Sequence, residues 1–159
     1  MTRKEQYNQL ILQIAELIKD ETNLVGILAN VSAALHDAFP ERFFWVGFYL
    51  QENGNMLRLG PFQGSVACYV IPFGKGVCGK AWEEGCTLIV PDVEKFPGHI
   101  ACSSLSRSEI VVPMYDDSHT FRGVLDIDST RLNDFNEDDK EGLERIIELL
   151  MAETQDLFQ

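Results

Sequence analysis

The sequence lacks several features that would place the protein in common functional classes. No apolar run approaches the roughly 20 residues that a transmembrane helix needs, and because charges interrupt the apolar positions of the N-terminal segment, we expect it to be neither a signal peptide nor an anchor. Basic residues are few, 13 Lys and Arg against 25 Asp and Glu, and the net charge of −12 argues against nucleic acid and anionic membranes as partners. We therefore expect a cytoplasmic protein whose cysteines rest as thiols.

Internal repeats, low-complexity segments and linkers are also absent. With 159 residues, 45% of them hydrophobic, the chain is expected to form one domain over residues 1–159. The glycines of PFGKGVCG match neither a dinucleotide-binding fingerprint nor a P-loop, so a tight turn into a helix is the better interpretation.

The hydrophobic periodicity predicts an α+β fold. Thr2 and Glu5 form a capping box ahead of an apolar helical stripe, a second helix ends before Pro40, and Asn136 caps a last helix. Between these helices, strand-like segments follow one another through hairpin signals, with one short helix inside GVCGKAWEEG. This order predicts a six-stranded, mostly antiparallel sheet with the N- and C-terminal helices packed on one face.

Alternation along two strands predicts a polar pocket on the other face of the sheet. In FFWVGFYL one face, directed at the helices, carries Phe44, Val46, Phe48 and Leu50. The opposite face carries Phe43, Trp45, Gly47 and Tyr49, and the glycine is expected to leave room for a small group between two aromatic rings. In GVLDID, Asp126 and Asp128 point away from the core, and Glu109 begins the strand that pairs with this one. Because apposed carboxylates raise one another's pKa, one of the three can stay protonated and act as an acid.

The four cysteines call for separate interpretations. Cys102 lies in a polar, serine-rich loop within the long segment 91–108, where packing gives no reason for a cysteine, so we expect thiol chemistry there. Cys86, just ahead of the TLIV strand, is interpreted as a small buried hydrophobic residue. A structural zinc site of the Cys3His type, with His99, Cys102, Cys68 and Cys78 as ligands, is an alternative, although the absence of a C-x-x-C motif disfavours it.

Four segments carry a resemblance to a known family: GPFQGSVAC, IPFGKGVCGKA, GHIACSSLSRSEIVVP and GVLDIDS. They resemble the GAF-domain reductases of free methionine-(R)-sulfoxide, over nearly the whole chain. The resemblance implies a single GAF-like domain that reduces free methionine sulfoxide, with Cys102 as the sulfur nucleophile and no metal or cofactor. Cys68 and Cys78 become the recycling thiols, restored by thioredoxin or a similar dithiol protein, and which of them reacts first stays open.

The same resemblance assigns the other residues of the site. Glu109, Asp126 and Asp128 form the polar floor, where they attract the ammonium group of a free amino acid and supply a proton; which carboxylate does which stays open. Trp45 and Tyr49 match the aromatic pocket that receives the substrate methyl group. The competing class is a non-catalytic GAF sensor of a small molecule or of oxidation. A sensor usually needs a fused output domain, and since we expect a stand-alone domain here, the enzyme is favoured. The apolar faces of the first and last helices are compatible with a homodimer, as in many GAF proteins.

Overall fold

A six-stranded antiparallel sheet, with helices on both faces, organises the chain in the computed structural model, which describes residues 1–100 and 102–158. The helices are α1 (Arg3–Ile18), α2 (Leu24–Ala38), α3 (Gly76–Glu84) and α4 (Glu137–Thr154). The strands are β1 (Trp45–Glu52), β2 (Met56–Gln63), β3 (Val70–Pro72), β4 (Leu88–Val90), β5 (Ser108–Tyr115) and β6 (Phe121–Ser129). The order across the sheet is β3-β2-β1-β6-β5-β4, with antiparallel pairing throughout, which confirms the predicted α+β fold.

Local signals in the sequence define where the outer helices begin. The Thr2 side chain accepts a hydrogen bond from the Glu5 amide while the Glu5 carboxylate accepts one from Thr2, so the predicted capping box is present. The Asn136 side chain caps α4 in the same way, and three acidic residues follow in the first turn, where the helix dipole favours negative charge.

The helices α1, α2 and α4 cover one face of the sheet and form the larger hydrophobic core. Leu10, Ile14 and Ile18 of α1 are at most 2% exposed, as are Leu143 and Leu150 of α4. The apolar stripes of the first and last helices are therefore occupied within the chain itself. A homodimer stays a prediction, and on α1 the exposed residues Leu12 and Leu17, outside the buried stripe, are the apolar side chains available to it.

The predicted alternation of FFWVGFYL is correct within β1 but wrong before it. Val46 and Phe48 face the helices, whereas Trp45 and Tyr49 belong to the second core on the opposite face. Phe43 packs into the helix-side core and Phe44 against the second core, the reverse of the prediction. The reason is that the strand begins only at Trp45: the Phe43 amide still donates to the Phe39 carbonyl in the turn after α2, so strand periodicity does not extend back to it.

A buried polar network fixes the ends of β5 and β6 next to the other face of the sheet. Ser129 donates to the Asp134 carboxylate at 2.5 Å, and the Asp134 amide donates to the Ser108 hydroxyl at 3.3 Å. The Arg42 guanidinium donates to both Asp134 and Asp139, which ties the strand ends to the start of α4. Ser108 and Ser129 precede and follow the acidic residues of the predicted site, so this network sets the position of their backbone.

Within the described residues, no helix has both the length and the hydrophobicity that crossing a membrane requires.

Candidate active site

The strand register brings the predicted pocket residues onto one face of the sheet. Asp128 pairs with Trp45 of β1 and with Glu109 of β5, while Asp126 pairs with Gly47 on one side and Val111 on the other. Since residues paired across a sheet share a face, the three carboxylates and the aromatic residues meet at the middle of the sheet, opposite α1 and α4. The strand register thus places these side chains on the face that the alternation predicted, while their roles stay predictions.

A helix and two loops cover these residues and enclose a cavity of about 50 Å³. The helix is α3, and the loops are 64–69, after β2, and the described residues 91–100 and 102–107, before β5. The cavity is lined at its floor by Glu109, Asp126 and Asp128 and at its rim by Cys102 and His99. All eight residues that the family resemblance assigned to the site are within or beside this cavity, Cys68 through its bond to Cys102.

The two loops are joined by a disulfide between Cys68 and Cys102, whose Cα atoms lie 5.5 Å apart. The expectation that all cysteines rest as thiols therefore does not hold for this pair, and the structure presents the oxidised form. Cys102 is exposed to solvent, so a reductant can approach the bond from outside. Sequence separation alone, 34 residues, could not identify the pair, because the pairing depends on where the two loops meet in space.

The other two cysteines are free and differ in exposure. Cys78, on α3, is 3% exposed and lines the cavity beneath the disulfide. Its predicted role as a recycling thiol stays a prediction, since Cys102 is bonded to Cys68. Cys86 is exposed, so its interpretation as a buried hydrophobic residue is wrong. The residue follows Gly85, the left-handed cap that ends α3, and precedes β4, so it lies in a surface turn rather than in the strand.

Burial dominates the electrostatics of the three carboxylates. It raises the pKa of Glu109 well above the ordinary value, and the charges of Asp126 and Asp128 raise it further. The pKa of Asp128 is also raised well above its ordinary value, by burial first and by Asp126 second. Burial raises the pKa of Asp126 as well, but hydrogen bonds from Glu109 and Cys78 oppose that shift. Of the three carboxyl groups, Glu109 is therefore the one best placed to hold a proton, between the two aspartates that flank it.

The aromatic walls are fixed by hydrogen bonds to the loop that carries Cys68. The Trp45 indole donates to the Ser65 carbonyl at 3.0 Å, and the Tyr49 hydroxyl donates to the Cys68 carbonyl at 3.1 Å. Their rings stack with centroids 5.8 Å apart and an interplanar angle of 22°. The cavity wall is thus coupled directly to one half of the disulfide.

The expectation that Gly47 leaves room for a ligand group is wrong. A Cβ atom built on Gly47 collides with the Cβ of Phe62 and comes within 2.9 Å of Cη2 of Trp45. Phe62, on the neighbouring strand β2, stacks on Trp45 with centroids 5.1 Å apart. The glycine therefore makes space for a second aromatic ring behind the wall, a function that single-strand periodicity could not reveal.

Sequence reasoning considered His99 only as a zinc ligand, but it contacts the carboxylate cluster. Its Nε2 atom lies 3.9 Å from Oε1 of Glu109, and burial lowers the pKa of the imidazole. Lys and Arg are absent from the described residues that line the cavity, so His99 is the basic side chain nearest to the acids there. The GHIAC context gave no signal of this contact, because it arises from the path of the loop.

A zinc site of the predicted Cys3His type is incompatible with this oxidised form, because Cys68 and Cys102 are consumed as ligands by their disulfide. In the described part of the chain, one group of three ligand-type side chains has its donor atoms within 4.8 Å of one another: Cys78, Glu109 and Asp126. All three of these side chains are buried.

Both the fold and the site define a GAF domain, and the GAF-domain family model matches residues 21–152. "GAF domain-containing protein A" of Dictyostelium discoideum is 56% identical over 149 residues, which cover 94% of this chain and 92% of that protein. The free methionine-R-sulfoxide reductase of Saccharomyces cerevisiae is 43% identical over 155 residues, covering 94% and 86%. The chain belongs to the free methionine-(R)-sulfoxide reductase family of GAF-domain proteins.

A solved structure supports the same assignment at the level of the whole fold. The free methionine-R-sulfoxide reductase of Neisseria meningitidis, crystallised in complex with its substrate, superposes on this chain with a TM-score of 0.93. It is 47% identical in sequence, and the match covers 98% of this chain and 92% of the Neisseria chain.

Proposed function

We propose that this chain reduces free methionine-(R)-sulfoxide to methionine, with Cys102 as the nucleophile and Cys68 as the thiol that resolves the oxidised product. The observation that carries the proposal is the Cys68–Cys102 disulfide at the rim of a cavity whose floor holds three carboxylates, two of them buried and that of Asp128 half-buried. Membership in the reductase family and the substrate complex of the Neisseria relative support the reaction. The sensor alternative is not favoured, because the relatives named as reductases include one whose structure holds the substrate.

The first step is the transfer of oxygen from the substrate to the enzyme. The Cys102 thiolate attacks the electrophilic sulfur of the sulfoxide while Glu109, the buried acid with the raised pKa, protonates the sulfoxide oxygen. The hydroxyl group then passes from the substrate sulfur to the Cys102 sulfur while the new S–S bond breaks, which releases methionine and leaves Cys102 as a sulfenic acid. The proton that the Cys102 thiol gave up on ionisation returns to the site, so thiol plus sulfoxide becomes sulfenic acid plus sulfide.

The second step restores the enzyme. The Cys68 thiol attacks the sulfenic sulfur, water leaves, and the Cys68–Cys102 disulfide forms between side chains whose Cα separation of 5.5 Å suits such a bond. An external dithiol of the thioredoxin type then attacks the exposed disulfide and returns both cysteines to thiols.

The carboxylates also explain selection of a free amino acid. Asp126 and Asp128 lie on the cavity floor without a Lys or Arg partner among the described lining residues, and an oxygen of Asp126, Oδ1, is buried without a hydrogen-bond partner. The ammonium group of a free amino acid supplies the charge and the donors that these atoms lack. A methionine within a protein has no ammonium group and leaves them unsatisfied.

Turnover of free and N-acetylated methionine-(R)-sulfoxide, measured as methionine or N-acetylmethionine release with dithiothreitol, tests the proposal. An unsatisfied buried carboxylate costs about 1–3 kcal/mol, so kcat/KM for the acetylated substrate should be at least about tenfold to a hundredfold lower. Absence of methionine release from the free sulfoxide would contradict the reductase function. Equal turnover of the two substrates would leave the reductase but refute the role of the carboxylates in selection.

A further inference from the structure

Cys78 lines the cavity, but its thiol takes no part in the proposed reaction. It lies on α3 and is 3% exposed, whereas Cys68 and Cys102 already form the disulfide above it. A reductant protein must reach a sulfur atom to exchange with it, and a buried thiol offers no such access. A role for Cys78 must therefore be inferred from the side chains that surround its thiol.

Those neighbours are the carboxylates of the cavity floor. The Sγ atom of Cys78 and carboxylate oxygens of Glu109 and Asp126 all lie within 4.8 Å of one another, so the thiol faces both carboxylates at close range. Burial, followed by the charges of Asp126, Glu109 and Asp128, raises the pKa of the Cys78 thiol well above its ordinary value. The thiol is thus protonated, and in a hydrogen bond with a carboxylate a protonated thiol is the donor.

Tight docking of α3 fixes this donor relative to the sheet. The Gly74 amide donates to the Gly79 carbonyl at 3.1 Å, in the turn that leads into α3. A Cβ atom at Gly79, the residue after Cys78, would come within 2.7 Å of the Pro72 carbonyl oxygen, so the helix approaches the end of β3 as closely as glycine allows. The position of the thiol over Asp126 is therefore set by backbone contacts.

We propose that Cys78 is a positioning residue, whose S–H group donates to Asp126 and holds that carboxylate ionised and oriented for the substrate ammonium group, and that it is not a recycling thiol. The inference rests on the proposed reductase function and replaces the recycling role that the sequence assigned to Cys78. The Oδ1 atom of Asp126 keeps no protein partner, which leaves acceptor capacity for a ligand.

The test compares Cys78→Ser and Cys78→Ala, with Cys68→Ser as a matched control at a cysteine that does form the disulfide. Each reduced variant is given free methionine-(R)-sulfoxide, and methionine is measured first in a single turnover without reductant and then in thioredoxin-coupled turnover. Serine keeps a donor on a side chain of similar shape, whereas alanine removes it. We expect the second-order rate constant for methionine release in a single turnover to be at least about tenfold lower in the alanine variant than in the serine variant, because the missing hydrogen bond is one to a charged acceptor.

Two readouts separate positioning from a general structural effect. The loss in Cys78→Ala should be much smaller for N-acetylmethionine-(R)-sulfoxide, because that substrate has no ammonium group for Asp126 to bind. Both Cys78 variants should still lose two thiols per chain after one turnover, as disulfide formation between Cys68 and Cys102 requires. Cys68→Ser should behave in the opposite way, with normal single-turnover methionine release and no coupled turnover.

Distinct results would overturn the inference. Normal single-turnover release with loss of coupled turnover in both Cys78 variants would make Cys78 a recycling thiol. Complete loss of single-turnover methionine in both, with thermal unfolding unchanged, would make it the nucleophile. If the serine and alanine variants match the wild type in both single-turnover release and coupled turnover, Cys78 has no role in the reaction. If the wild-type protein itself releases no methionine, the proposed function fails first and this inference fails with it.

Discussion

Replacing Glu109 by glutamine should slow the sulfoxide step and stabilise the protein at the same time. The Glu109 side chain is 7% exposed, with no Lys or Arg among the described cavity-lining residues, and its pKa is raised well above the ordinary value by burial and by two aspartates. The amide keeps the shape and can still donate to both aspartates, but it has no acidic proton to give. General acid catalysis contributes typically about 100-fold to 10,000-fold, so single-turnover methionine release at saturating substrate should fall by that order.

The stability effect follows from the sign of the pKa shift. A carboxyl group whose pKa is raised on folding stabilises the folded protein fully below its unfolded pKa, and that contribution is lost as the pH rises through the folded pKa. Between those two values the folded state holds one more proton than the unfolded state, and the free energy of unfolding falls by up to about 1.4 kcal/mol per pH unit. Glu109→Gln lacks this loss. The free energy of unfolding of Glu109→Gln should therefore exceed that of the wild type least near pH 4 to 5, and the difference should grow steadily toward neutral pH.

Urea unfolding of both proteins, with the disulfide intact, at several pH values between 5 and 8 measures this difference. Glu148→Gln, the same change at an exposed position of α4, is the matched control and should show no pH-dependent gain. Parallel curves of stability against pH for wild type and Glu109→Gln would show that Glu109 ionises normally. An unchanged single-turnover rate would mean that the proton donor is another group.

Three further outcomes are expected. Cys102→Ser should form no methionine even in a single turnover, because it removes the nucleophile; product at the wild-type rate would place the nucleophile elsewhere. Cys86→Ser should leave both dithiothreitol-dependent and thioredoxin-coupled turnover unchanged, because Cys86 is exposed outside the cavity, and a large loss would reveal an unrecognised role. Gly47→Ala should lower the thermal midpoint, since the added methyl group collides with Phe62 and crowds Trp45, and overpacking typically costs about 1–3 kcal/mol; an unchanged midpoint would contradict this account of the glycine.

The parts of the structure that sequence predicted well are those set by local rules. The Thr2 capping box is formed within four residues, and the alternation of Leu125, Asp126, Ile127 and Asp128 follows directly from the two-residue period of a strand. Placing Glu109 opposite Asp128 required only that β5 and β6 form a hairpin. The floor of the candidate site could thus be assembled from short-range pattern alone.

The parts that sequence missed depend on contacts between distant segments. The exposure of Cys86 depends on where α3 ends, and the space beside Gly47 depends on a ring from the neighbouring strand. The choice of Cys68 over Cys78 as the partner of Cys102 depends on two loops that meet above the sheet, 34 residues apart in the chain. The periodicity of a single segment does not predict contacts between distant segments, so the disulfide pairing stayed open in the sequence analysis.

The acidic floor of the site also bears on how the fold is specified. In β6, Leu125 and Ile127 are fully buried under the helices while Asp126 and Asp128 face the cavity. A slip of one residue in the pairing of this strand would exchange the two faces and place both carboxylates in the apolar core. Burying an ionised carboxylate there is far more costly than leaving it in the polar cavity. The aspartates reduce stability on the face where we propose that they bind substrate, yet they penalise the wrong register of the central strand. The residues of the proposed chemistry therefore also help to define the sheet that positions them.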